Sequence, residues 1–165
     1  MATSRAEVLA QGLAAGVIGY LATTIMFAVF NVLTGHSPFY TAALLGATLF
    51  YGLESLDGFS VQASYVFAYN GLHLILYLVL GMIGSWLASV CETGSQLWYV
   101  GLFFFIGVAF HVFALVQWFA APVESEIPAV SVWVTGVIAA LLMAIYLLRR
   151  HPALARQMRH WEETA

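Results

Sequence analysis

From Val61 to Val90 the chain reads VQASYVFAYNGLHLILYLVLGMIGSWLASV, without one Asp, Glu, Lys or Arg. A helix needs about 20 apolar residues, at 1.5 Å each, to cross a hydrocarbon layer roughly 30 Å thick. The run is longer than that and lacks the strict alternation of a barrel strand. In lipid every backbone N–H and C=O must find a partner within the protein, so a helix is the default for such a run. The same reading extends outward to a first span at about 8–33, a third at about 97–120 and a fourth at about 129–148, with the quoted span at 61–90. The expected fold is an all-α membrane protein, a four-transmembrane-helix bundle over 1–148 followed by a cytoplasmic tail at 149–165.

Composition agrees. Of 165 residues, 62% are hydrophobic and 8% charged, against roughly 25% charged in soluble domains. That excludes a soluble enzyme domain and a disordered chain, and the lack of a basic surface excludes a nucleic-acid partner. A single cysteine excludes a disulfide framework and a multi-cysteine zinc site.

The charges that remain set a topology. There is no lysine, and the five arginines, Arg5, Arg149, Arg150, Arg156 and Arg159, all lie in the tails. Basic residues collect on the cytoplasmic side, so both termini belong there and the number of spans is even. The expected location is a bacterial inner membrane. The 34–60 and 121–128 loops then face outward with Glu54, Asp57, Glu124 and Glu126, and the 91–96 turn faces inward. The first apolar run exceeds an h-region of about 7–15 residues and shows no small-residue cleavage site, so it reads as an uncleaved span.

Two segments are too short to cross. A helix over about 38–51 would be roughly 21 Å long, with Ser37 as N-cap, Pro38 in the first turn and Gly52 just past the end. It is expected on the outer side, lying on the bundle or in the headgroups; the sharper alternative is a re-entrant half-helix. After Pro152, Leu154, Met158 and Trp161 recur at helical spacing opposite Arg156, Arg159 and Glu162. This describes a short amphipathic tail for the inner membrane surface or for a partner's cytoplasmic face.

Inside lipid, small and polar residues hold helices together. Each span carries such a stripe: Gly12, Gly16, Gly19, Thr23 and Met26; Asn70, His73, Tyr77, Gly81 and Gly84; Gly101, Phe104, Gly107, His111, Ala114 and Trp118; Gly136, Ala139, Met143 and Tyr146. These are the expected inward faces.

Two of those residues are ionisable, and an ionisable group at that depth is a candidate site. His73 lies about 20 residues before the turn near Thr93-Gly94 and His111 about 18 after it, so their depths agree within roughly 5 Å. A shared interior pair of imidazoles can ligate haem b or another tetrapyrrole. It can form half of a copper or zinc site with Met26 as a soft third ligand, hydrogen-bond a quinone carbonyl, or pass protons. The ordinary alternative is an interhelical hydrogen bond worth about 1 kcal/mol. Haem propionates would meet an outer face with no Arg or Lys.

The outer carboxylates with His36 match no metal motif and read as a solvated acidic loop, which could steer a basic soluble partner such as a cytochrome c. Cys91 sits beside Glu92, which disfavours a reactive thiolate. No Ser/His/Asp set, HExxH, phosphate loop or dinucleotide fingerprint occurs, so no enzyme activity is expected.

The run Gly35-His36-Ser37-Pro38-Phe39-Tyr40-Thr41-Ala42-Ala43-Leu44-Leu45-Gly46-Ala47 resembles a loop of uncharacterised bacterial four-span integral membrane proteins, which show Gly-x-x-Pro…Thr…Leu-Gly after the first span and a histidine in the second, here His73. The resemblance covers the first half of the chain and implies a four-span architecture and a bacterial inner membrane, with no reaction attached. The functional expectation is a non-catalytic accessory or structural subunit of a larger membrane complex, respiratory or photosynthetic in type. Alternatives are a small electron carrier using His73 and His111, and a small transporter or channel with a re-entrant 38–51 segment.

Overall fold

Ser4 starts the first helix with a capping box. Its hydroxyl accepts from the Glu7 N–H at 3.2 Å, and the Glu7 carboxylate accepts from the Ser4 N–H at 2.7 Å. The computed structural model describes residues 4–92, 98–119, 123 and 126–156. It contains α1 (Arg5–Leu33), α2 (Tyr40–Tyr51), α3 (Ala63–Cys91), α4 (Trp98–Phe119) and α5 (Ala129–Arg150), with no strand among the described residues. Three helices, α1, α3 and α5, are long and apolar enough to cross a membrane. The side chains at 98, 112, 113 and 115–119 lie outside the description, and so do Glu124, the turn at Thr93-Gly94, and Met158, Arg159, Trp161 and Glu162 of the tail.

The tightest packing is between α1 and α3, and glycine makes it possible. A Cβ on Gly16 would come within 2.5 Å of the Tyr77 carbonyl oxygen and 2.7 Å of Leu78 Cα. One on Gly81 would strike the backbone of Gly12 and Gly16. With no side chains between them, the two backbones touch over two turns, the geometry small residues permit. Ser85 Oγ extends the contact by donating to the Val8 carbonyl at 2.8 Å. These contacts pair the start of α1 with the end of α3, so the helices are antiparallel.

α5 packs on the other side of α1 and also carries α4, whereas α3 and α4 touch only lightly. Gly136 faces the Ala109 carbonyl so closely that a Cβ would overlap it. Where α4 stands off from α3, an apolar recess of about 340 Å³ opens between Gly84, Ala88, Leu102, Phe105, Ala140 and Leu141. His151, just beyond α5, places Nδ1 3.2 Å from Glu92 Oε2 at the end of α3. The start of α1 and the end of α5 therefore share one end of the bundle.

The structure shifts several inward faces from those expected. On α1 the buried stripe runs Gly12, Gly16, Gly19, Thr23, Phe27 and Asn31, so Phe27 takes the place expected of the half-buried Met26. On α4 the buried residues among those described are Val108 and Ala109, while Gly107 and Ala114 are exposed. The close approach there is made by Gly136 of α5, which rotates Ala109 inward and leaves Gly107 with nothing nearby. On α5, Leu147 is buried instead of Tyr146, whose ring lies under the Arg150 guanidinium at 5.5 Å.

The short helix is confirmed in extent but begins two residues later, at Tyr40, with Phe39 and not Ser37 at its N-cap and no side-chain cap. Gly52 ends it in the left-handed conformation at φ 69°. It does not lie loosely on the surface. Ala43, Leu44, Leu45, Gly46 and Ala47 are all buried, and Gly46 rests on the Tyr65 carbonyl of α3. Leu44 and Leu45 join Phe27, Val123, Ile127 and Val132 in the core that closes this end of the bundle. Beyond α5 the chain turns helical again at 152–156, and Leu154 packs on Ala88 and Cys91. That residue of the expected amphipathic face is spent on the bundle itself.

These contacts separate two kinds of glycine. Gly16→Val forces Cβ into the α3 backbone and should lower stability by about 3 kcal/mol, an overpacking cost. Gly107→Ala meets no atom and should leave stability unchanged or raise it by up to about 1 kcal/mol. Thermal unfolding of both variants in detergent checks the contrast.

Candidate functional site

α1, α3 and α4 bring their polar stripes together in the bundle interior. His73 is 3% exposed. Its ring lies 5.0 Å from Tyr69, 5.0 Å from Tyr77, 6.2 Å from Tyr20 and 6.4 Å from His111, centre to centre. The two histidines expected to share an interior do so.

Tyr77 stands beside both imidazoles, its ring 5.2 Å from that of His111 in an edge-on arrangement. Its phenol is paired with the Thr23 hydroxyl at 2.6 Å. Tyr20 donates to Asn70 Oδ1 at 3.0 Å, and Asn70 Nδ2 donates to the Val66 carbonyl at 2.8 Å. These phenols and amides are mutually satisfied, as buried polar groups must be. The imidazoles are not. His111 Nδ1 lies against the Val108 carbonyl, which can only accept, so that nitrogen carries the proton. The Nε2 atoms of His73 and His111 have no hydrogen-bond partner among the described residues.

Two imidazoles fall short of the four ligands of a structural zinc site. No cluster of three or more His, Cys, Asp and Glu occurs among the described residues. Met26 is half-buried, and the fully buried positions of α1 at this level are Thr23 and Phe27. A haem between the imidazoles would have to displace Tyr77, which is fully buried.

Asn31, which the sequence reading did not single out, anchors the turn into α2. Its Nδ2 donates to the Pro38 carbonyl at 3.1 Å, its Oδ1 accepts from Thr41 Oγ1 at 2.7 Å, and its carbonyl accepts from the His36 N–H at 2.8 Å. A polar residue one helical turn beyond Phe27 was the available signal. Between this anchor and His73, α1, α2 and α3 enclose a cavity of about 260 Å³.

At the closed end His36 stacks on Tyr40 at 4.2 Å, and Tyr40 donates to Glu126 at 3.4 Å. Burial, and then the Glu126 charge, push the Tyr40 phenol above its usual pKa. Glu54 and Asp57 are exposed. Comparison with protein-family models, curated proteins and solved structures finds no match to this chain.

Asn31→Leu strands the Pro38 carbonyl and the Thr41 hydroxyl in a buried site and should cost about 2 kcal/mol. Tyr77→Phe removes one hydrogen bond and should cost about 1 kcal/mol. Denaturation midpoints of the two variants against the parent chain test this ranking.

Proposed function

We propose that the chain is a four-span integral membrane protein of a bacterial inner membrane, serving as a non-catalytic subunit of a larger membrane assembly. α4 supplies the fourth crossing: it has 22 residues, roughly 33 Å at 1.5 Å each, and no charge. The antiparallel order gathers Arg5, Arg149, Arg150 and Arg156 at one end and Glu54, Asp57 and Glu126 at the other. That distribution supports cytoplasmic termini.

The subunit reading is carried by the exterior. Large apolar side chains cover the outward faces of every long helix, among them Ile25, Ile75, Trp86, Phe103 and Leu141. Little chain stands outside the helices to act on its own. Contiguous apolar and aromatic surface suits both lipid and neighbouring transmembrane subunits.

The paired-imidazole electron carrier is the second reading. The two unpartnered Nε2 atoms favour it, and the buried Tyr77 ring beside the pair weighs against haem.

In a Cys91→Ser background, Ala6→Cys and Arg156→Cys should react with a membrane-impermeant thiol reagent only after cells are opened, and Ser60→Cys in intact cells. Opposite labelling of the two ends would remove the topology. Mild-detergent purification should yield a stoichiometric complex; migration as a lone 18 kDa species would remove the subunit reading. Absorption of the same sample decides the second reading, since a haem protein shows a Soret band that His73→Ala and His111→Ala abolish.

A further inference from the structure

We infer that the cavity between α1, α2 and α3 is a binding site for the ring of a neutral, lipid-soluble quinone or quinol. Its polar lining includes Tyr20, Thr23, Thr24, Asn31, Asn70 and His73, with Thr41 and the Tyr69 phenol beside them. No charged side chain is among the lining residues, so the site selects a neutral molecule. Most of the polar groups are already engaged: Thr23 with Tyr77, Tyr20 with Asn70, and Asn31 with Pro38 and Thr41. Two are not. His73 Nε2 and Thr24 Oγ1 are buried without a hydrogen-bond partner among the described residues. A buried polar atom left unpaired costs about 1–3 kcal/mol. Two lining one cavity, Thr24 from α1 and His73 from α3, mark a place where a ligand supplies the missing partners.

The remaining wall is aromatic and aliphatic. Phe27, Phe39, Phe67 and Tyr69 line the cavity, which suits a flat ring. Of these, Phe67 is 76% and Phe39 54% exposed. The mouth therefore opens sideways, between α2 and α3, onto the apolar flank. A ligand reaching it comes from the lipid phase. At about 260 Å³ the space lies just below the roughly 300–1,000 Å³ of pockets that enclose whole drug-sized ligands. It holds a substituted ring and leaves an isoprenoid tail outside, between Phe39 and Phe67. A ring carbonyl or hydroxyl then satisfies His73, with Thr24 as the second polar contact.

The inference needs the membrane placement proposed above but no partner subunit. Failure of co-purification and failure of ligand binding are therefore separate results. The test uses the purified full chain in neutral detergent with a decyl-substituted benzoquinone, measured by equilibrium dialysis against protein-free micelles and by the rise of Tm with ligand concentration. One saturable site per chain is expected. His73→Phe should weaken binding at least tenfold and Thr24→Val severalfold. Ala28→Phe, which fills the cavity and keeps both polar groups, should abolish binding. Gly107→Ala, remote from the cavity, should bind like the parent. If His73→Phe does not fold, Thr24→Val and Ala28→Phe decide the matter. Absence of saturable binding by the parent chain overturns the inference, and so does equal binding by the cavity variants.

Discussion

The direct contact of the α1 and α3 backbones at Gly12, Gly16 and Gly81 is the constraint from which the rest follows. Two helices so close fix each other's rotation. That rotation turns Thr23 toward Tyr77 and Tyr20 toward Asn70, and it presents His73 to the interior. It also leaves a notch beyond the glycines, where the helices carry larger residues, and α2 seats itself there on Gly46. The cavity is the space between that seat and the histidine.

Placing so many polar groups inside an otherwise oily bundle is expensive unless they bond to one another. Most do. The pairs made by Thr23, Tyr77, Tyr20 and Asn70 cross between α1 and α3, so they add register to the glycine contact. Among the exceptions, His73, His111 and Thr24 lie in or beside the same interior, whereas Gln11, Thr135 and His151 do not line the cavity. His73 and Thr24 line one cavity, and that is why the site is assigned there.

The long apolar helices were legible because charge is absent over long intervals, a property read one residue at a time. The depth match of His73 and His111 was legible because it needs only a helical rise counted from a turn. The inward faces were legible where a helix carries its own glycines, as α1 and α3 do. On α4 the rule misled. Gly107 makes no close approach because the approach belongs to Gly136 of α5, and a partner's glycine cannot be seen from one helix. Met26 and Phe27 were a choice between steps of three and four, and the core under α2 settles it for Phe27. The role of Asn31 depends on how α2 docks, which no single stretch encodes.

The light contact of α3 with α4 bears on how the molecule is made. Chains are synthesised from the N-terminus and their parts fold in that order. The stretch from α1 through α3 holds every residue that lines the cavity, together with the glycine seam and the Asn31 anchor. That half can close while the ribosome is still adding the remainder. α4 and α5, in contact through Gly136, can then add to the flank of α1 as a later unit. That unit completes the imidazole pair but is not needed to shape the pocket.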